Sequence, residues 1–255
     1  NYYLSRVQEI FDGHGLVASP FFYEYKHAPS LQPPIGEYFY VALSVFGLSV
    51  PHLIVLAKFL FPAILFLLIY AFARSLTRET TPTHATHLGV AAATCVVIGI
   101  GVVDYGDVVH RLFNETTRPV LSMWTRPVNP ITGAMLMFSF LIVVWRTLQK
   151  KSFSWAVFGG VLLAGMIGYI FAFGVAIASL SSLIVKSVWC KEYSAAKPLA
   201  AILGIGLVSV SSYAALVLSF HPSGSLLRSG LVLGHTPLLN KIILLSLALT
   251  AVFIA

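Results

Sequence analysis

Long apolar stretches alternate with short polar ones along most of the chain. A helix of roughly 20 apolar residues crosses a hydrocarbon layer of about 30 Å, so each such stretch predicts a membrane span. The stretches cover residues 53–73, 88–103, 131–146 and 198–220, and another begins near Asn240. The pattern therefore predicts an all-α protein, a polytopic transmembrane helix bundle with extracytoplasmic loops.

The apolar run 155–185 is too long for one upright span. It contains Gly159, Gly160, Gly165, Gly168 and Gly174. Because small residues allow helices to approach closely, we interpret the run as two short helices packed as a hairpin. One long tilted helix is the alternative, and it would invert the topology of everything that follows.

The first 52 residues are polar, aromatic and rich in proline. Within them, 33–48 begins with Pro33 and Pro34 and is apolar except for Glu37. A proline at a helix start costs no hydrogen bond, so this pattern predicts a helix in or near the outer interface. A membrane span that begins here is the alternative.

The domain organisation follows from these segments. We expect a single transmembrane domain, 1–255, with an outer loop and interfacial helix in 1–52 and about seven membrane segments in 53–255. The chain opens on Asn1 and stops at Ala255 inside an apolar run. We therefore expect a fragment, truncated at both ends.

Composition supports a membrane protein and argues against a soluble globular domain and a nucleic-acid-binding protein. The chain is 58% hydrophobic and 10% charged, with a mean hydropathy of +0.87, whereas soluble domains carry about 25% charge. The net charge is +7, but the cations lie in short loops and form no basic stripe, so no nucleic-acid partner is expected. Cys95 and Cys190 lie in or beside apolar runs, which does not support a disulfide framework.

Cations are concentrated in three of the short loops, and this predicts the orientation. The outer side, by contrast, has as many acids as cations. Because cytoplasmic loops carry an excess of Lys and Arg, we expect the three loops to be cytoplasmic. Against only Glu79 and Glu192, they hold Arg74, Arg78, Arg146, Lys150, Lys151, Lys186, Lys191 and Lys197.

The first candidate site follows the second predicted span, in the sequence VVDYGDVVHRLFNETTRP. If the helix continues, Asp104, Asp107 and Arg111 share one face, and His110 lies beside Asp107. Two carboxylates at a membrane exit could hold a divalent cation, or one could act as a base whose pKa the other raises. The alternative is a solvated helix end whose acids stop the span.

The second candidate site is the loop that contains Glu24, Lys26 and His27, followed by Pro29 and Pro33. Prolines stiffen a loop and could fix one carboxylate and two potential cations above the membrane. An ordinary amphipathic loop is the alternative. Glu9 and Asp12 share a face of an earlier helix, and we interpret both as solvated.

The third candidate site consists of cations at the outer interface. Arg118 and Arg126 flank Trp124, and Lys58 lies at similar depth just inside the first span. Arginine can hold a phosphate through two parallel hydrogen bonds. Interfacial Arg and Trp are also generic membrane anchors, and that alternative stays open.

Several of these features together resemble the GT-C superfamily of membrane glycosyltransferases. Within it, the chain is similar to the polytopic proteins related to protein O-mannosyltransferases and to lipid A aminoarabinose transferases. The resemblance covers about residues 1–151. It rests on the opening YYLSRVQEIFDG, the motif Pro33-Pro34-x-x-Glu37, the span end LIYAFARSLT and the acidic pair Asp104 and Asp107.

The resemblance implies an enzyme that moves a sugar from a polyprenyl-phosphate carrier to an acceptor, with inversion at the anomeric carbon. A carboxylate would deprotonate the acceptor hydroxyl, and interfacial cations would stabilise the departing phosphate. Asp104 or Asp107 matches one acid of the family. The other is expected upstream of Asn1, with Glu24 or Asp12 as substitutes.

The resemblance also implies phosphate contacts, a location and partners. Arg126 and Lys58 match phosphate-binding positions by depth. The expected location is a bacterial or archaeal cytoplasmic membrane with the active face outside the cytoplasm, and the expected partners are the bilayer and a polyprenyl-phosphate-linked sugar. A transporter or flippase is the alternative function, although the predicted spans carry few ionisable residues.

Overall fold

The computed structural model describes residues 2–17, 28–30, 32–98, 128 and 130–220. The secondary structure in these ranges is helical, which confirms the predicted all-α class. Short 3₁₀ turns cover Ser44–Phe46 and Met166–Gly168. The eight described α-helices are α1 (Tyr2–Phe11), α2 (Ile35–Leu43), α3 (Val50–Thr77), α4 (Ala85–Ile98), α5 (Ile131–Lys150), α6 (Phe153–Gly165), α7 (Ile170–Trp189) and α8 (Tyr193–Phe220).

Four of the described helices are long and apolar enough to cross a membrane, namely α3, α5, α7 and α8. At 28 residues each, α3 and α8 are about 42 Å long, so they extend beyond a hydrocarbon layer of about 30 Å. The described part of α4 has 14 residues. Its predicted continuation to residue 103 lies outside the described residues.

The helix predicted after the proline pair is confirmed. Pro34 directly precedes α2, and the 3₁₀ turn that follows α2 ends at Gly47, whose φ is 66°. A positive φ favours glycine because glycine has no Cβ. α2 is thus a short, separately bounded helix and not the start of a membrane span.

The chain breaks within 155–185, which confirms the prediction of two helices. Tyr169, between the 3₁₀ turn and α7, is extended with φ −140° and ψ 90°. The predicted packing of the glycines within the hairpin is wrong, however. A Cβ on Gly160 would lie 2.6 Å from Cβ of Ile205, so the close approach is made to α8.

The three cation-rich loops lie together at what we call the cationic end of the bundle. Gln149 Nε2 donates to Glu79 Oε1 at 2.7 Å, which joins the ends of α3 and α5. Gly159 faces Ile202 and Leu163 faces Gly206. The helices α6 and α8 therefore run parallel, and the loops that precede them share this end.

The opposite end, here the polar end, is formed by α1, α2, the start of α5 and the turn before α7. Gly168 lies against Pro33 and Ile35, and Gly133, near the start of α5, lies against Tyr169. By the positive-inside tendency, the polar end is the one expected to face away from the cytoplasm.

Two apolar clusters form the described core, and α5 contributes to both. Ile131 and Met135 pack with α1, α2, α3 and α4. Phe140 and Val144, further along α5, pack with α6, α7 and α8. The helix α5 therefore packs against both halves of the bundle, the first formed by α1 to α4 and the second by α6 to α8.

Gly160→Ala is expected to destabilise the bundle, whereas Gly174→Ala is not. A methyl group on Gly160 would overlap Ile205, and overpacking costs about 1–3 kcal/mol. Gly174 has no neighbour within 4 Å of a Cβ, so alanine there should be neutral or stabilise the helix by up to about 1 kcal/mol. Titration of purified protein with sodium dodecyl sulfate, followed by circular dichroism, measures both. Equal unfolding midpoints for the two variants would contradict the packing of α6 on α8.

Candidate functional site

A buried ion pair lies at the centre of the polar end. Arg6 of α1 and Glu37 of α2 have side chains that are only 1% and 3% exposed, and Arg6 Nε donates to Glu37 Oε1 at 2.5 Å. Glu37 is the third residue of α2, where the helix dipole also favours a negative charge. The carboxylate is therefore stabilised by the guanidinium and by the start of its own helix.

Arg6 also holds the proline-rich segment that precedes α2. Its Nη1 donates to Ser30 Oγ and its Nη2 to the carbonyl of Gln32, each at 3.1 Å. All three guanidinium nitrogens thus donate to protein oxygens. A buried charge with several such partners avoids most of the penalty of leaving water.

Two further hydrogen bonds tie this segment to the second half of the bundle. Gln32 Nε2 donates to the carbonyl of Gly168 at 2.6 Å, and the hydroxyl of Tyr213 in α8 donates to the carbonyl of Ser30 at 2.6 Å. We call Arg6, Ser30, Gln32, Glu37 and Tyr213 the polar cluster. It connects α1, α2, α8 and the turn before α7.

The charge of the cluster also affects its aromatic neighbour. Burial raises the pKa of the Tyr40 phenol above its usual value, and the carboxylate of Glu37 raises it further. Tyr40 is therefore a neutral side chain at physiological pH. It packs edge-on to Phe61 of α3, with ring centroids 5.4 Å apart.

The polar cluster holds neighbouring segments in place and is not itself a reactive site. A general base must reach the proton that it removes, but the Glu37 carboxylate is buried and already accepts from Arg6. What the cluster does is fix the segment after His27 against the bundle.

A pocket of about 340 Å³ lies beside the cluster, between α1 and the start of α3. Its walls are formed by Leu4, Ser5, Gln8, Glu9 and Pro51. Glu9 Oε2 lies 3.0 Å from His14 Nδ1, and the two side chains are 13% and 20% exposed. The pocket thus carries a carboxylate with an imidazole behind it.

The prediction that both Glu9 and Asp12 are solvated is therefore wrong for Glu9. Asp12 is exposed, as expected, and accepts a hydrogen bond from Gln8 at 2.9 Å. Gly13 has a φ of 93°, which turns the chain at the end of α1. After this turn the His14 backbone nitrogen donates to the Glu9 carbonyl at 2.9 Å, so His14 covers Glu9.

Lys58 is the one predicted site residue within the described ranges, and it lies exposed on α3. It follows Pro51, which lines the pocket, by seven residues, so both lie on one face of α3. Seven residues rise about 10 Å along a helix. Lys58 itself does not line the pocket.

The other predicted site residues lie outside the described residues. This applies to the catalytic candidates and possible metal ligands Asp104 and Asp107, to Glu24, and to the substrate-binding candidates Lys26, His27, Arg111 and Arg126. Within the described ranges there is no group of three or more His, Cys, Asp or Glu side chains that could hold a metal ion.

A lone charged residue in an apolar helix is the sequence signal for the polar cluster. Glu37 is the only charged residue in IGEYFYVAL. A single carboxylate in an otherwise apolar helix needs a cation once the helix is buried. Two cations precede Glu37 in the sequence, Arg6 and Lys26, and Arg6 lies in the helix YYLSRVQEIF.

Comparison with protein-family profiles, curated proteins and solved structures gives no match to this chain.

Removing one member of the ion pair is expected to cost more stability than replacing both. Arg6→Met or Glu37→Met leaves the other charge buried without its partner, which costs about 3–5 kcal/mol. The double variant should recover most of that loss, because methionine pairs of similar volume can pack in the same space.

The measurement is a double-mutant cycle on purified protein unfolded with sodium dodecyl sulfate. Asp12→Asn, at an exposed acid in the turn directly after α1, is the control and should change stability by no more than about 0.5 kcal/mol. If the losses of the two single variants simply add in the double variant, the pair is not coupled and the assignment is wrong.

Proposed function

We propose that this chain belongs to a membrane glycosyltransferase that moves a sugar from a polyprenyl-phosphate donor to an acceptor at the polar end. The observation that carries the proposal is the pocket at that end, which has the Glu9 carboxylate in its wall. Lys58 does not line the pocket, but it lies two turns further along α3 on the face that carries Pro51. Transfer from a lipid phosphate needs both an acceptor of protons or hydrogen bonds and a cation for the leaving phosphate.

The position of the pocket suits a donor that is itself a membrane lipid. α3 is a candidate membrane span that begins at Val50, so Pro51 lies near its outer end and Lys58 about two turns deeper. A polyprenyl chain would lie in the hydrocarbon layer, with its phosphate at the level of the Lys58 ammonium. The sugar would then face the pocket.

The position of Val128 supports a role for Asp104 and Asp107 in the proposed transfer reaction. Val128 is buried and lies against Gly36 of α2. In the sequence, 99–127 precedes Val128 and holds Asp104, Asp107, Arg111 and Arg126. We assign the general base to Asp104 or Asp107, as the resemblance implies, and we assign to Glu9 a hydrogen bond from a substrate hydroxyl.

The polar cluster supplies the rigidity that such a site needs. Small displacements of reacting groups cost large factors in rate, so catalytic sites are built on fixed elements. Arg6 fixes Ser30 and Gln32. The segment with Lys26 and His27 precedes them directly in the sequence, and we assign Lys26 and His27 to contacts with the sugar or the acceptor.

Asp104→Asn or Asp107→Asn in the full-length protein is expected to abolish sugar transfer while leaving membrane insertion intact. An amide cannot accept the acceptor's proton, so loss of the base should lower kcat by at least about 100-fold. The assay measures transfer from radiolabelled polyprenyl-phosphate sugars in proteoliposomes, with Glu192→Gln at the cationic end as control. Unchanged transfer in both variants would remove the pair from the mechanism.

Lys58→Gln and Glu9→Gln are expected to act mainly on substrate binding. Loss of a charge-assisted hydrogen bond costs roughly 1.5 kcal/mol or more, so the KM for the donor should rise about tenfold in Lys58→Gln. Glu9→Gln should raise the KM for the acceptor by a similar factor.

The matched controls are Lys150→Gln and Glu192→Gln at the cationic end, both of which should retain the KM values of the unmodified protein. Two results would contradict the proposal. One is an unchanged KM in both Lys58→Gln and Glu9→Gln. The other is movement of polyprenyl-phosphate sugar across the vesicle bilayer without any transfer, which would indicate a flippase.

A further inference from the structure

A second pocket lies at the cationic end, between the ends of α3 and α5. It has a volume of about 290 Å³. We call it the arginine pocket, because Arg74, Arg78 and Arg146 contribute its cations; its other lining residues are Tyr70, Ala71, Ser75, Glu79 and Gln149. Three guanidinium groups and one carboxylate leave the pocket with an excess of positive charge.

The guanidinium groups are available for a ligand. None of the three has a carboxylate of a described residue within 4.0 Å. The carboxylate of Glu79 accepts instead from Gln149, at 2.7 Å. Arg74 lies over the ring of Tyr70, with Cζ 5.9 Å from the centroid, which orients its planar group without neutralising it.

An exposed apolar surface leads from the membrane to this pocket. Leu67, Ala71, Arg74 and Arg78 are spaced i, i+4, i+7 and i+11, so they share one face of α3. Leu67 is 62% exposed and lies in the apolar part of a candidate membrane span. The face therefore changes from apolar to cationic over about three helical turns.

From these observations we propose that the arginine pocket binds the phosphate of an anionic phospholipid. The guanidinium groups contact the phosphate, and an acyl chain lies along Leu67 and Ala71. Basic pockets between transmembrane helices are suited to such headgroups. A volume of about 290 Å³ accommodates a headgroup but leaves the acyl chains to the bilayer.

The geometry distinguishes this site from a general excess of cations. Lys150, Lys186 and Lys197 lie at the same end and are exposed, but they do not line the pocket. Arginine binds phosphate through two parallel hydrogen bonds, whereas lysine acts as a point charge. A lipid held by the pocket should therefore depend on the three arginines and not on the three lysines. The site is at the opposite end from the proposed transfer reaction and does not depend on it.

Native mass spectrometry of the full-length protein, titrated with phosphatidylglycerol or with phosphatidylcholine, tests the proposal. The unmodified protein should bind phosphatidylglycerol at least tenfold more tightly. The variant Arg74→Gln/Arg78→Gln/Arg146→Gln should lose this preference, while Lys150→Gln/Lys186→Gln/Lys197→Gln, which removes the same charge, should retain it within threefold.

A fallback variant and a displacement experiment distinguish a lipid site from a general charge effect and from a soluble phosphate site. The single variant Arg146→Gln replaces the triple variant if circular dichroism shows that the latter loses helix, and it should weaken phosphatidylglycerol binding at least threefold. Equal losses in the arginine and lysine variants would show a general charge effect and overturn the proposal. Inorganic phosphate or glycerol 3-phosphate should fail to displace the lipid at millimolar concentration; displacement would identify a soluble phosphate ligand and overturn the assignment to a lipid.

Discussion

The buried pair of Arg6 and Glu37 is the interaction on which the polar end depends. Two charges with almost no exposure are costly to remove from water, and each would be strongly destabilising without the other. The cost is offset only when Ser30 and the carbonyl of Gln32 also meet the guanidinium. The helices α1 and α2 and the segment between them must therefore come together in one arrangement.

This constraint extends beyond the first half of the bundle. Gln32 donates to Gly168, and Tyr213 donates to Ser30, so two elements from the second half close over the same segment. The apolar clusters alone would connect the halves chiefly through α5. The cationic end differs, since its described arginines have no carboxylate partner. Among the described residues, one end of the bundle is thus held by internal ion pairing, and the other keeps the excess positive charge that the proposed lipid site requires.

Hydropathy predicted the helices well in the membrane and less well beyond it. The predicted spans 53–73 and 198–220 correspond to Val50–Thr77 and Tyr193–Phe220. The residues that hydropathy missed include Arg74 and Lys197, whose charges end the apolar runs although the helices continue past them. Similarly, Gly159, Gly160 and Gly168 correctly indicated close packing and Gly174 did not, and a sequence pattern cannot state which helix approaches them.

The polar cluster and the pocket were harder to predict because both depend on contacts that periodicity does not report. Arg6 and Glu37 are 31 residues apart, and helix spacing relates only residues within a few turns of one another. Glu9 shows the same limit at short range. Its spacing to Asp12 indicated a common solvated face, yet Gly13 reverses the chain and places His14 over Glu9 alone. A single residue with positive φ therefore gives Glu9 a covered position in the pocket wall, while Asp12, one turn further on, stays in solvent.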